Sequence, residues 1–158
     1  MAFQSQPIGT ALVRMPTHNH YAGPFLSSAD RVYMILTEEV DRRKIAAVKN
    51  TNADPFTANW AIQDSANAPV HAQDALSVWA FQVGDVLHVA SIDESTTRVI
   101  RYHTFNMATD LWVIVDEAVD TADAGTTFCS LAVRDDGDVI IFRRGNQDTV
   151  HATNYDRV

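Results

Sequence analysis

Cysteine is almost missing from this chain, because Cys129 is the single one among 158 residues. One thiol excludes an internal disulfide and a metal site made of cysteines alone. Long hydrophobic runs are missing too, since no stretch approaches the ~20 apolar residues that cross a membrane. The first ten residues carry neither a basic patch nor a hydrophobic segment of signal-peptide length. We therefore expect a soluble protein with no signal peptide in this chain and no membrane insertion.

Positive charge is scarce, and Lys44 and Lys49 are the only lysines. The 12 basic and 20 acidic residues give a formal net charge of −8, with a pI near 5.0. Nucleic acids and anionic membrane surfaces need a cationic binding surface, so this balance argues against both classes of partner. The six glycines form no phosphate-binding or dinucleotide-binding pattern, and no Gly-x-Ser-x-Gly nucleophile motif occurs.

The residues that are present form a repeat of about fifty residues. Each unit contains an aspartate followed by an apolar run, at Asp30, Asp85 and Asp138. Short strand-like segments, which we name A to D, surround this run, and Gly, Asp, Asn and Ser collect between them. The apolar run is strand B, whose continuous hydrophobicity is typical of a strand covered on both faces. The Asp-Gly at 136–137 predicts a tight hairpin between strands A and B.

These units predict an all-β fold of one domain, 1–158, made of four-stranded propeller blades. The predicted blades are 24–74, 75–127 and 128–158, and the last one has strands A to C only. Residues 9–23 are predicted to contribute the missing strand D and a linker. The sequence leaves open whether that strand pairs with its own chain or with a partner.

Two phrases, Gly84-Asp85-Val86-Leu87-His88-Val89 and Arg101-Tyr102-His103-Thr104-Phe105-Asn106, resemble blades of sialidase-like (BNR-type) propellers. The resemblance covers about residues 24 to 158. It implies a half-propeller chain, and a homodimer with two-fold symmetry would close a six-bladed ring. A β-trefoil, which also has three four-stranded repeats but closes as a monomer, is the alternative fold.

Ligand-binding residues are expected on the D–A and B–C loops, which share one face of a propeller. The candidates there are predicted to be exposed on one side of the ring: His20, Tyr21, Arg43, His71, Asp74 and Asp123. Arg134, on predicted inner strand A, is a further candidate because an arginine lining a tunnel needs water or an anionic partner. Asp135 or Asp136 would be such a partner.

Metal-ligating side chains also occur in these loops. His18, His20 and His71 could join Asp74 or Asp123 around a divalent ion, but His-x-His without a third fixed ligand is a weak signal, and we predict no metal site. Aspartates at the A–B turns leave calcium possible, although such residues ordinarily form turns. We predict no other cofactor.

The sequence favours a non-catalytic ligand-binding propeller module that binds glycans. A sialidase-like glycoside hydrolase is an alternative, but the required nucleophile and acid pair are not recognisable. A structural assembly unit is the other alternative.

Overall fold

The structure is a computed structural model that describes residues 21–38, 41–50, 59–94, 97–122, 126–144 and 150–155. These residues form strands and turns but no helix, which confirms the all-β prediction. They accordingly contain no helix with the length and hydropathy to cross a membrane. The strands are β1 (Tyr21–Leu26), β2 (Val32–Thr37), β3 (Ile45–Asn50), β4 (Trp60–Gln63), β5 (Ala75–Val83), β6 (Val86–Asp93), β7 (Arg98–Asn106), β8 (Leu111–Ala122), β9 (Cys129–Val133), β10 (Val139–Arg144) and β11 (Val150–Tyr155).

Consecutive strands pair antiparallel and form three separate sheets. Sheet 1 contains β1 to β4, sheet 2 contains β5 to β8, and sheet 3 contains β9 to β11. The predicted four-stranded antiparallel sheets are thus present. The predicted hairpin is also present, because β9 pairs with β10 and Gly137 takes a φ of 95° in the turn. That left-handed conformation suits glycine, which has no Cβ to clash with the backbone.

The second strands of sheets 1 and 2 are buried on both faces. On β2, Tyr33 and Ile35 pack toward sheet 2, whereas Met34 and Leu36 belong to a cluster on the other face of sheet 1. This alternation follows from the two-residue period of a β-strand. The continuous hydrophobicity of strand B therefore reflects burial on both faces, as predicted.

Sheet 2 lies between the other two sheets. One hydrophobic cluster joins it to sheet 1 and includes Ile35, Val89 and Phe105. A second cluster joins its opposite face to sheet 3 and includes Ile92 and Leu131. The first strand of sheet 2, β5, contacts both β1 and β9, so the first strands of the three sheets adjoin.

Polar contacts connect neighbouring sheets as well. Asp85, in the β5–β6 turn, accepts a hydrogen bond of 2.7 Å from the backbone N–H of Ser28 in the β1–β2 turn. Arg143 of β10 pairs with Asp120 of β8 at 2.8 Å.

Residues 1–20 lie outside the described residues, so the pairing of the strand predicted within 9–23 stays a prediction.

Candidate functional site

Two loops that carry predicted ligand residues meet at one end of sheet 1. The backbone N–H of His71, in the β4–β5 loop, donates to the carbonyl of Arg43, in the β2–β3 loop, at 2.8 Å. Arg43 is exposed and pairs with Asp41 at 2.8 Å, and Asp74 lies 3.4 Å from Arg42. Arg43 and Asp74 therefore belong to adjoining loops, where each already has a partner of opposite charge.

The predicted exposure of His71 is wrong, because the residue is only 2% exposed. The β4–β5 loop carries the imidazole against β6 and β7, where Nε2 lies 3.0 Å from Oγ of Ser91. The ring also lies beside that of His103, with 5.9 Å between centroids. Burial against Ser91 and His103 therefore removes His71 from the surface that Arg43 and Asp74 occupy.

Arg134 lies one residue beyond β9 rather than on an inner strand, so that placement is also wrong. Its exposed guanidinium pairs with Asp136 at 2.9 Å and with Asp138 at 3.3 Å. The acidic partner expected for it is therefore Asp136 of the same turn, joined by Asp138. This turn is at the end of the strands opposite to the loop that precedes β9.

The remaining candidates are Tyr21, His20 and Asp123. Tyr21 is exposed at the start of β1. His20 and Asp123 lie outside the described residues, and their inclusion in a shared site stays a prediction. The possibility of calcium at the A–B turns stays untested, and Asp85 there already accepts a hydrogen bond from Ser28.

A buried polar cluster lies where the β4–β5 loop packs on sheet 2. It consists of His71 on the loop, Ser91 on β6, His103 on β7 and Asp116 on β8. The register between β7 and β8 shifts beside His103, and Asp116 takes a φ of 57° in this bulge. A bulge bends its strand and redirects a side chain, and aspartate tolerates this left-handed conformation better than most residues.

The hydrogen bonds of this cluster determine which ring nitrogen of each histidine carries the proton. The backbone N–H of Asp116 donates to Nδ1 of His103 at 2.9 Å, so the proton of a neutral His103 is on Nε2. That Nε2 lies 2.8 Å from Oγ of Ser91 and donates to it. The hydroxyl of Ser91 is then free to donate to Nε2 of His71. The proton of a neutral His71 is consequently on Nδ1.

Burial keeps both imidazoles neutral at pH 7. The pKa of His71 is lowered from 6.5 to about 4, chiefly by burial, while Asp93 acts to raise it and Arg101 to lower it. Burial also holds the pKa of His103 well below its usual value, with further contributions from His71 and Arg101. Burial raises the pKa of Asp116.

Two buried polar atoms of this cluster are without a hydrogen bond in the described part of the chain. Among the described residues, neither Nδ1 of His71 nor Oδ1 of Asp116 has a hydrogen-bond partner. The other carboxylate oxygen of Asp116 accepts a hydrogen bond of 3.2 Å from the backbone N–H of Val70. One ring nitrogen of each of His71 and His103 and one carboxylate oxygen of Asp116 lie within 4.8 Å of one another. Nitrogen and carboxylate ligands in this number are typical of a zinc site.

An aromatic pocket lies between the first strands of sheets 1 and 2. It has a volume of about 330 Å³ and is lined by residues 21–25, Trp79 and Ala80. Tyr21 and Trp79 are both exposed, and Trp79 meets Phe128 edge to face with 6.1 Å between centroids. The pocket therefore presents two accessible aromatic rings, one of which carries a hydroxyl group.

Sequence reasoning missed Ser91, His103 and Asp116. Ser91 follows the apolar run of strand B directly, and His103 lies between Tyr102 and Thr104 in a strand of largely buried residues. A polar residue inside a buried strand is the signal that they offer, because such a residue needs a partner. The bulge that brings in Asp116 has no comparable signal.

No protein-family model matches the chain, and the comparison with curated proteins gives no match. The resemblance to sialidase-like blades therefore stays a prediction.

Proposed function

We propose that this protein is a non-catalytic carbohydrate-binding module whose ligand site is the pocket of Tyr21 and Trp79. The observation that carries the proposal is this concave site with two accessible aromatic rings. Ligand sites are concave and largely apolar, with a few polar groups that orient the ligand, and their volumes begin near 300 Å³. The volume of the pocket, about 330 Å³, lies at the lower end of this range.

Aromatic rings suit the apolar faces of sugar rings, and a phenol adds a hydrogen-bonding group at the edge of that surface. Tyr21 and Trp79 supply both features from two different sheets, so their spacing depends on how β1 packs against β5. Arg43 and Asp74 offer additional charged and hydrogen-bonding groups on the loops at the end of sheet 1 where Tyr21 begins β1. The net charge of −8 favours a neutral or cationic ligand over an anionic one.

The buried cluster supports the non-catalytic part of the proposal. Ser91 is fully buried, and His103 donates to its hydroxyl instead of accepting from it. A serine nucleophile needs an exposed hydroxyl and a histidine whose Nδ1–H is held by a carboxylate. Ser91 is buried, Nδ1 of His103 accepts from a backbone N–H, and Nδ1 of His71 has no hydrogen-bond partner among the described residues. The sialidase-like hydrolase remains the catalytic alternative, to be tested directly below.

We further propose that the three sheets are blades of a propeller. Support comes from the stacking of the sheets face to face and from the adjoining positions of β1, β5 and β9, which would line the central axis. In the described residues every strand-to-strand pairing stays within one sheet, whereas a trefoil barrel needs pairing between strands of different repeats. This pattern favours the propeller.

Three blades do not close a ring, so we propose that a second copy of the chain supplies three more. In this arrangement the strand predicted within residues 9–23 adds a fourth strand to β9–β11, in the same chain or in the partner. Adding that strand would also remove an exposed sheet edge, which natural proteins avoid.

One observation favours a structural assembly unit as the second candidate function. Leu111, Val113 and Val115 are exposed on β8, which is the last strand of its sheet. Apolar residues grouped on a surface strand are typical of a protein contact. This surface is separate from the pocket of Tyr21 and Trp79, so the two functions can be tested independently.

A glycan array and a panel of fluorogenic glycosides, applied to the same full-length sample, test these alternatives. We expect binding to a defined group of glycans and no turnover of any glycoside above background. Turnover that disappears in Asp74→Asn would establish the hydrolase and overturn the proposal. A lack of signal in both assays would favour the assembly unit instead.

A further inference from the structure

We propose that His71, His103 and Asp116 bind one Zn²⁺ ion, which connects the β4–β5 loop to sheet 2. The three side chains come from a loop and two neighbouring strands, and one potential ligand atom of each lies within 4.8 Å of the others. Two imidazoles and one carboxylate form a ligand set that zinc accepts, with a fourth position left for water.

The unpartnered atoms are the independent indication of a ligand. His71 is 2% exposed, and its Nδ1 has no hydrogen-bond partner among the described residues; the same is true of Oδ1 of Asp116. Buried polar atoms are almost always paired, so two that remain unpaired within one cluster point to a bound ion or water. Zinc fits the combination of nitrogen and oxygen better than calcium or magnesium, which prefer oxygen ligands only.

Ser91 has the position of an outer-shell residue. A histidine that binds a metal ordinarily hydrogen-bonds through its other ring nitrogen, which fixes the orientation of the ring. The hydroxyl of Ser91 lies 3.0 Å from His71 Nε2 and 2.8 Å from His103 Nε2. To bind zinc through Nδ1, His103 must release the backbone N–H of Asp116 while its Nε2–H continues to donate to Ser91. To bind through Nδ1, His71 must carry its proton on Nε2, so that Oγ of Ser91 accepts from both rings.

The charges and the access route are also compatible with a cation. Asp93 and Asp116 contribute two negative charges to the surroundings, against one positive charge on Arg101, which lies 3.9 Å from Asp93. The side chain of Asp116 is 29% exposed, whereas His103 is fully buried, so an ion would enter past Asp116.

Zinc titration of the chelator-treated full-length protein at pH 7 tests the proposal. Calorimetry should give one ion per chain, and the melting temperature should rise with zinc concentration because the ion binds the folded state. Asp116→Asn and His71→Gln should each weaken zinc binding at least about tenfold. Asparagine tolerates the left-handed conformation of position 116 and retains an acceptor for Val70, so this variant should fold.

Two control variants separate this site from incidental binding. Asp30→Asn changes another aspartate with positive φ, at 56° in an exposed turn, and should bind zinc as the wild type does. His20→Gln removes one histidine of the His-x-His pair and should also leave binding unchanged. Loss of binding in His20→Gln but not in Asp116→Asn would overturn the proposal, as would a wild-type chain that binds no zinc. If a variant fails to fold, the visible spectrum of the Co²⁺-loaded wild type decides, because absence of tetrahedral cobalt bands contradicts the site.

Discussion

Nδ1 of His103 accepts a hydrogen bond from the backbone N–H of Asp116 at 2.9 Å, although the carboxylate of the same residue lies 3.9 Å from that nitrogen. In a serine hydrolase the opposite arrangement holds, because Nδ1–H donates to the carboxylate and Nε2 takes the proton of the serine. The backbone contact of Asp116 therefore fixes the tautomer of His103 that is unable to activate Ser91. Ser91, His103 and Asp116 thus have the residue types of a catalytic triad but not its hydrogen-bond arrangement.

Ser91 should accordingly be inert toward serine-directed reagents. We expect no covalent labelling of the native protein by a fluorophosphonate, because the hydroxyl is buried and neither neighbouring histidine is held by a carboxylate through Nδ1–H. Mass spectrometry of the intact protein checks this, with a known serine hydrolase as the positive control. Labelling that Ser91→Ala abolishes would show that Ser91 is accessible and activated, and it would contradict this interpretation.

The buried histidines should make the protein less stable in acid. Between pH 6.5 and about 4 the unfolded state protonates His71 while the folded state does not, so the free energy of unfolding falls as the pH is lowered. His71 alone should contribute a loss of about 3 kcal/mol across this interval. His103 adds a loss of the same sign, whereas the raised pKa of Asp116 acts in the opposite direction. Urea unfolding at pH 7, 5.5 and 4.5 provides the measurement.

The matched variant for this effect is His71→Gln, which retains a side chain able to accept from Ser91. It should be less stable than the wild type at pH 7 and should lose less stability on acidification. His18→Gln, outside the described residues, serves as the control and should behave as the wild type. An identical pH dependence in wild type and His71→Gln would rule out His71 as its source.

The contact between Arg143 and Asp120 should stabilise the packing of sheet 3 on sheet 2. The two side chains are 14% and 23% exposed, so solvent screens this ion pair less than a surface pair. A double-mutant cycle with Arg143→Ala and Asp120→Ala should give a coupling free energy of about 1 kcal/mol. The exposed pair Arg134–Asp136 is the comparison and should give a coupling free energy of about 0.3 kcal/mol. Equal coupling in both pairs would contradict this account of burial.

The sheets were predictable from sequence because their signals are local. The apolar run from Val32 to Leu36 indicated a strand covered on both faces, and Gly137 marked a hairpin whose turn needs positive φ. The buried cluster was not predictable, because its members are brought together by contacts between distant parts of the chain. His71 was expected on the surface since loop residues usually lie there, and nothing local indicates that its ring reaches Ser91.

Ring closure by a second copy predicts the mass of the protein in solution. Light scattering should give twice the 17.5 kDa of one chain over a wide concentration range. Deleting residues 1–15 should cause aggregation or dissociation, because it would remove the strand predicted to pair with β11. A well-behaved monomer of the intact chain would count against the two-chain ring.

Calorimetric titration of the glycan with the strongest array signal tests the central claim, carbohydrate binding at the aromatic pocket, most directly. The titration compares the wild type with Trp79→Ala, which removes a ring of the pocket, and with Phe81→Ala, which removes an exposed ring of the same strand outside the pocket lining. We expect Trp79→Ala to weaken binding at least about tenfold and Phe81→Ala to bind as the wild type does. Binding that both variants retain in full would contradict the central claim.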